Sequence, residues 1–165
     1  FAYANNLFGG TSETTFTPDG NMTRAMLVTV LWRLEGKPAP KGSNSFTDVA
    51  AGKYFTDAVI WAAENEIVNG VGDGKFNPDG NVTREQMAAI LYRYADKKGY
   101  NTTKRADLTA FPDAAQISNF AKDAISWANA EGLINGSDGK LLPKGNATRA
   151  QVATILMRYV QNIIK

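Results

Sequence analysis

Three arginines follow a threonine at what reads as the start of a helix: Thr23-Arg24, Thr83-Arg84 and Thr148-Arg149. Arginine at a first helical position sets a cation beside the positive end of the helix dipole, at a cost of roughly 0.3–1 kcal/mol. Two readings account for its recurrence. In one, each helix start, with its unsatisfied amides and its arginine, binds an anion such as a carboxylate or phosphate on a ligand. In the other, each arginine pairs with an acidic residue of the same or a neighbouring repeat. Residue chemistry leaves both open.

Other chemistry is tightly bounded. The 165 residues include no histidine and no cysteine, which excludes Ser-His-Asp and Cys-His catalysis, histidine zinc sites, thiolate nucleophiles and disulfides. Carboxylate chemistry, oxygen-ligated metals and binding remain. Asp73-Gly74 imitates the centre of an EF-hand calcium loop, yet Gly80 stands where the closing bidentate acid belongs, so no metal is expected. A carboxylate-pair hydrolase needs one centre, whereas the acids recur at equivalent repeat positions; neither an enzyme nor a cofactor is expected. With 18 basic and 16 acidic residues the net charge is +2, which argues against a dedicated nucleic-acid binder. No apolar run reaches the length of a membrane span, and Phe1-Ala2-Tyr3-Ala4 is no signal peptide; if the protein is exported, that signal lay upstream.

The elements that position the arginines form an internal repeat. Phe16-Thr17-Pro18-Asp19-Gly20-Asn21-Met22-Thr23-Arg24 returns as Phe76-Asn77-Pro78-Asp79-Gly80-Asn81-Val82-Thr83-Arg84 after 60 residues, and as Leu141-Leu142-Pro143-Lys144-Gly145-Asn146-Ala147-Thr148-Arg149 after a further 65. Upstream, Phe46-Thr47-Asp48 matches Phe111-Pro112-Asp113, and Asp57-Ala58 with Trp61-Ala62 matches Asp123-Ala124 with Trp127-Ala128. Residues 1–36, 45–96 and 110–165 form the three copies, joined by linkers at 37–44 and 97–109. The register sets Phe1 opposite Trp61, so the first copy opens in mid-helix; the chain is expected to be cut from a longer polypeptide or to lack its own start.

Each copy reads as helix, glycine-rich loop, helix, and the fold class as all-α. In the second copy a helix over about Phe55 to Glu66, with Ala58, Trp61 and Ala62 on one face, is stopped by Asn69-Gly70. Phe76 is expected to pin the loop to the core. A second helix starts at Thr83 with Met87, Ile90, Leu91 and Tyr94 inward; its counterparts are Leu27, Val30, Leu31, Leu34 and Val152, Ile155, Leu156, Tyr159. Thr83 with Gln86 and Thr148 with Gln151 predict capping boxes, while Met26 denies one to Thr23. Asp48 and Asp113 are expected to cap or brace the first helices. The run Lys97, Lys98, Lys104 and Arg105 reads as a solvated linker rather than a polyanion contact. So small a unit rarely folds alone, and the three are expected to bury their first-helix faces together.

Phe46-Thr47-Asp48-Val49, Asp57-Ala58, Trp61-Ala62, Gly70, Gly72-Asp73-Gly74-Lys75-Phe76-Asn77-Pro78 and Val82-Thr83-Arg84-Glu85-Gln86 together resemble the S-layer homology domain. The resemblance covers nearly the whole chain in three tandem copies. It implies a pseudo-threefold, three-pronged bundle with grooves between adjacent repeats. It further implies a noncatalytic module that anchors exported proteins to the bacterial cell wall. The implied partner is a secondary cell wall polysaccharide, commonly bearing a pyruvate ketal whose carboxylate would be the anion. Carried over, the ligand-binding residues are Arg24, Arg84 and Arg149, with groove walls around Gly10, Gly70 and Gly136. The family's usual Thr-Arg-Ala-Glu has Met26, Gln86 and Gln151 at its fourth place here. The third loop is one residue shorter than the second. Phe1, Trp61 and Trp127 either pack in the core or stack on sugar, and Tyr54 and Phe120 are better placed for partial exposure in a groove. A rival reading makes the chain a contact module between neighbouring surface-layer subunits.

Overall fold

The computed structural model describes residues 20–136 and 139–164. Phe1, Gly10 and the loop that precedes Gly20 lie outside the described residues, as do Ser137 and Asp138 of the third loop. The described residues are helical, with isolated bridges and no strand.

Among the described residues five α-helices carry the fold: α1 (Arg24–Leu34), α2 (Thr56–Glu64), α3 (Arg84–Lys97), α4 (Lys122–Ala130) and α5 (Arg149–Tyr159). Thr23, Thr83 and Thr148 are the N-caps of α1, α3 and α5. The two expected capping boxes are formed: Gln86 and Gln151 accept the N–H of their cap threonines at 2.9 and 3.0 Å. Thr23 keeps only the forward half, accepting from Met26 N at 3.1 Å, because a thioether offers no comparable acceptor.

The first helix of the second copy ends at Glu64, earlier than the sequence suggests. Ile67 N donates to Ala62 O at 2.9 Å and Glu66 N to Ala63 O at 3.1 Å, a Schellman closure with Glu66 at φ 61°. Asn69-Gly70 therefore lies beyond the true stop. In the third copy Leu133 N and Gly132 N repeat the closure onto Ala128 O and Asn129 O, with Gly132 at φ 77°.

A closed ring of backbone hydrogen bonds ties the three second-helix starts together. Met22 N donates to Ala147 O (2.9 Å), Ala147 N to Val82 O (2.8 Å) and Val82 N to Met22 O (2.9 Å). One step on, Arg24 N reaches Gly80 O, Arg84 N reaches Gly145 O and Arg149 N reaches Gly20 O, at 2.8, 2.9 and 2.9 Å. Each helix start thus spends its first orphan amide on a loop of another copy. Met22, Val82 and Ala147 have no exposure at all, so the ring sits inside the core.

Among the described residues, the main helix-on-helix contacts are α1 with α2 and α3 with α4. The principal partner of a first helix is thus the second helix of the preceding copy, where the sequence reading set first helix against first helix. The linkers stay bound to these pairs. Glu64 accepts the N–H groups of Lys41 and Gly42, and Trp127 Nε1 donates to Asn101 O. Three of the four cations in the second linker make ion pairs within the chain: Lys98 with Glu35, Lys104 with Glu131 and Arg105 with Asp123.

The predicted core residues are buried, apart from Leu34, which is half-buried. Trp61 and Trp127 are buried too, edge-on to Tyr94 and Tyr92, so core packing describes them and sugar stacking does not.

Candidate functional site

The glycine loop is a rigid wall, made so by a carboxylate. Asp48 accepts from Phe76 N and Asn77 N, each at 2.8 Å, and Asp113 accepts from Leu141 N and Leu142 N at 3.0 and 2.8 Å. These aspartates brace the end of the loop; they do not cap the first helices, whose starts have no side-chain cap. Held in this way, Asn77 and Leu142 adopt positive φ of 61° and 51°. Burial works to raise both carboxyl pKa values, but the paired amide bonds outweigh it, aided by Lys75 and Lys140, and hold them below the usual carboxylate range. Phe76 is fully buried beneath the loop. At Gly70 an added Cβ would lie 2.6 Å from Lys75 O and 2.8 Å from a Phe46 ring carbon, so only glycine lets the loop close over that ring.

Against this wall lies the arginine of the preceding copy. Arg24 donates from Nε to Phe76 O at 2.8 Å and from Nη2 to Asn69 O at 3.0 Å, with its guanidinium 4.7 Å above the Phe76 ring centroid. Arg84 donates from Nη2 to Gln151 Oε1 at 3.1 Å and from Nη1 to Leu142 O at 3.4 Å. Arg149 Nε is buried with no hydrogen-bond partner among the described residues. None of the four ion pairs among the described residues involves Arg24, Arg84 or Arg149. For Arg24 and Arg84 the acid-pairing reading therefore finds no support among the described residues: uncharged oxygens orient the guanidinium without cancelling its charge.

Among the described residues two such grooves result, each of about 260 Å³. One brings together Arg24, Asn69, Gly70, Gln86, Arg93 and Phe120. The other brings together Arg84, Asn135, Gly136, Gln151, Arg158 and the apolar Leu141. Apart from Phe120 in the first and Leu141 in the second, the residues named correspond position for position, each groove built from the arginine of one copy and the loop and second helix of the next. Among the described residues no acidic side chain lines either groove. Burial lowers the pKa of Arg24 and Arg84 from that of an ordinary guanidinium, with Asp48 opposing the shift at Arg24; both remain cationic at any physiological pH.

Of the residues singled out by sequence, the structure joins Arg24, Gly70 and Phe120 in one groove and Arg84 with Gly136 in the other. Tyr54 is 43% exposed, and its hydroxyl is influenced by Asp79, Arg149 and Arg33, which sets it near the third arginine. Gly10 lies outside the described residues. Sequence reasoning missed Arg93 and Arg158, the second cation of each groove. Their signal was there, in the recurrence of Leu91-Tyr92-Arg93 as Leu156-Met157-Arg158 and Leu31-Trp32-Arg33.

Among the described residues no cluster of three or more acids could hold a metal ion, and no helix is long and apolar enough to cross a membrane. Compared with known protein families, the chain matches the S-layer homology domain at residues 1–25, 45–88 and 110–153. It is similar to an endoglucanase of Bacillus sp. (strain KSM-635), 35% identical over 93% of this chain and 16% of that protein. It is also similar to the surface-layer 125 kDa protein of Lysinibacillus sphaericus, 31% identical over 93% of this chain and 13% of that protein. A cellulosome-anchoring protein of Acetivibrio thermocellus is 25% identical over 88% of this chain and 33% of its own length. The chain thus spans a third or less of these relatives. Their surface-layer and anchoring members indicate a cell-wall or cell-surface location. Three matches in register with the three repeats, covering most of the chain, show that it belongs to the S-layer homology domain family.

Proposed function

We propose that this chain is a noncatalytic anchor that binds an acidic sugar of the cell wall, a pyruvylated secondary cell wall polysaccharide, in the grooves between its repeats. The observation that carries this reading is the repeated pairing of two arginines, from neighbouring copies, in a groove that no acidic side chain lines among the described residues. A ketal carboxylate would accept hydrogen bonds from guanidinium N–H groups that the loop carbonyls leave unused. The amides of Asn69 and Asn135, the glycine backbone and the face of Phe120 suit the hydroxyls and ring of the sugar. About 260 Å³ per groove is small against ordinary ligand pockets of roughly 300–1,000 Å³, a size that suits one sugar residue with its ketal.

The closed ring of hydrogen bonds among Met22, Val82 and Ala147 supports a pseudo-threefold arrangement of the repeats, with Arg149 and Tyr54 in a third groove. A third groove would also include Gly10. The relative named as an endoglucanase matches this chain over 16% of its own length, which supports a module that carries catalytic domains rather than one that catalyses.

Calorimetry with a pyruvylated wall-sugar fragment, set against the same fragment without the ketal, tests the proposal. Binding of the ketal form alone is expected. Equal binding of both, or self-association of the chain with no binding of either, would overturn it in favour of a contact between surface-layer subunits.

A further inference from the structure

The Arg24–Arg93 groove carries a device that the preceding junction in the chain lacks. Glu85, in the first turn of α3, is only 3% exposed. Its Oε1 accepts from Ser118 N at 2.9 Å, and its Oε2 accepts from Ser118 Oγ at 2.7 Å and from Lys144 Nζ at 3.1 Å. Lys144 Nζ also contacts Ser118 Oγ. A buried carboxylate is tolerated only when its lone pairs are met in this way, and once met it is a stiff tie. Ser118 opens the turn Asn119–Ala121, which packs on α3 and presents Phe120, 55% exposed, to the groove.

One copy earlier the register sets Ala25, Gly52 and Asp79 where Glu85, Ser118 and Lys144 stand, and Tyr54 where Phe120 stands. Neither Ala25 nor Gly52 has a polar side chain, so that junction has no equivalent tie.

We propose that Glu85, acting through Ser118 and Lys144, is a positioning residue that fixes Phe120 over the Arg24–Arg93 groove and makes it a preorganised sugar site. A wall held before binding spares the ligand the cost of ordering it. The sugar rests on the anchoring function proposed above; the tie itself does not. Burial works to raise the Glu85 pKa, but the Ser118 and Lys144 bonds prevail and hold it below the usual carboxylate range, so the tie is intact at neutral pH.

The test uses the whole chain with 4-fluorophenylalanine placed at residue 120. In ligand-free protein, Glu85→Ala is expected to move the fluorine resonance toward that of the free amino acid. Ser118→Gly, which leaves α3 untouched, is expected to do the same. By calorimetry with the pyruvylated fragment, Glu85→Ala should weaken binding about tenfold, but cause no further loss in a Phe120→Ala background. An unmoved resonance in both variants, or losses that multiply in the double variant, would overturn the proposal. If the parent chain binds no sugar, the anchoring reading fails, and the fluorine resonance still decides whether Glu85 holds Phe120.

Discussion

Gln151 Oε1 accepts from Arg84 Nη2 at 3.1 Å and from Thr148 N at 3.0 Å. One side chain therefore closes the cap of α5 and receives the groove arginine of the preceding copy. The matching residue of the first copy is Met26, which can do neither, and Arg149, the arginine that would meet it in the same cycle, has a buried Nε without a partner among the described residues. Replacing Gln151→Met copies that arrangement. It should cost about 1–2 kcal/mol in urea denaturation and weaken binding of the ketal sugar. An unchanged unfolding midpoint would show that cap and arginine are not coupled.

The backbone ring predicts a second outcome. Ala147→Pro removes the N–H that meets Val82 O inside the core and leaves that carbonyl unsatisfied, at a cost of about 2 kcal/mol. The urea midpoint should fall with little change in slope. A variant as stable as the parent would mean that the ring contributes nothing to cohesion.

Glu66 and Gly132 hold the same Schellman position with φ of 61° and 77°. Only glycine adopts this region without strain, so Glu66→Gly should stabilise the chain by about 1 kcal/mol and Gly132→Ala should destabilise it by a similar amount. Thermal unfolding reads both, and shifts of the same sign would contradict the assignment.

Asp48, Asp113 and Glu85 all have carboxyl pKa values depressed in the folded state. Such groups contribute stability that is fully present above their unfolded values, about 4. That stability is lost as pH falls through the folded values. Urea stability should therefore be flat from neutral pH to about 5 and decline below about 4. Asp113→Asn should flatten part of the decline while lowering stability at neutral pH. A decline identical to that of the parent would remove Asp113 from the account.

Much of this was legible in the chain because it is local. The caps at Thr83 and Thr148, the inward faces of α1, α3 and α5 and the burial of Phe76 follow from residues within a few positions of one another. What escaped depends on partners without a side-chain signature. Asp48 and Asp113 bind backbone amides 28 and 29 residues away, and an amide looks the same in every sequence. Arg24 is oriented by the carbonyls of Phe76 and Asn69, equally silent. Arg93 and Arg158 were visible as a recurring arginine, but an arginine late in a helix fits an ordinary solvated C-terminal turn; only the meeting of two copies shows that it shares a groove with Arg24 or Arg84. The pairing of α1 with α2 and α3 with α4 across linkers was likewise hidden, since periodicity identifies an apolar face but not its partner.

The central claim is that arginines from adjacent repeats hold one carboxylate between them. Nitrogen-resolved NMR of the arginine Nε–H groups during titration with the pyruvylated sugar fragment tests it most directly. The account predicts that Arg24 and Arg93 move together, that Arg84 and Arg158 do the same, and that Arg105 in the linker stays still. Still resonances in both grooves, or movement confined to Arg105, would contradict it.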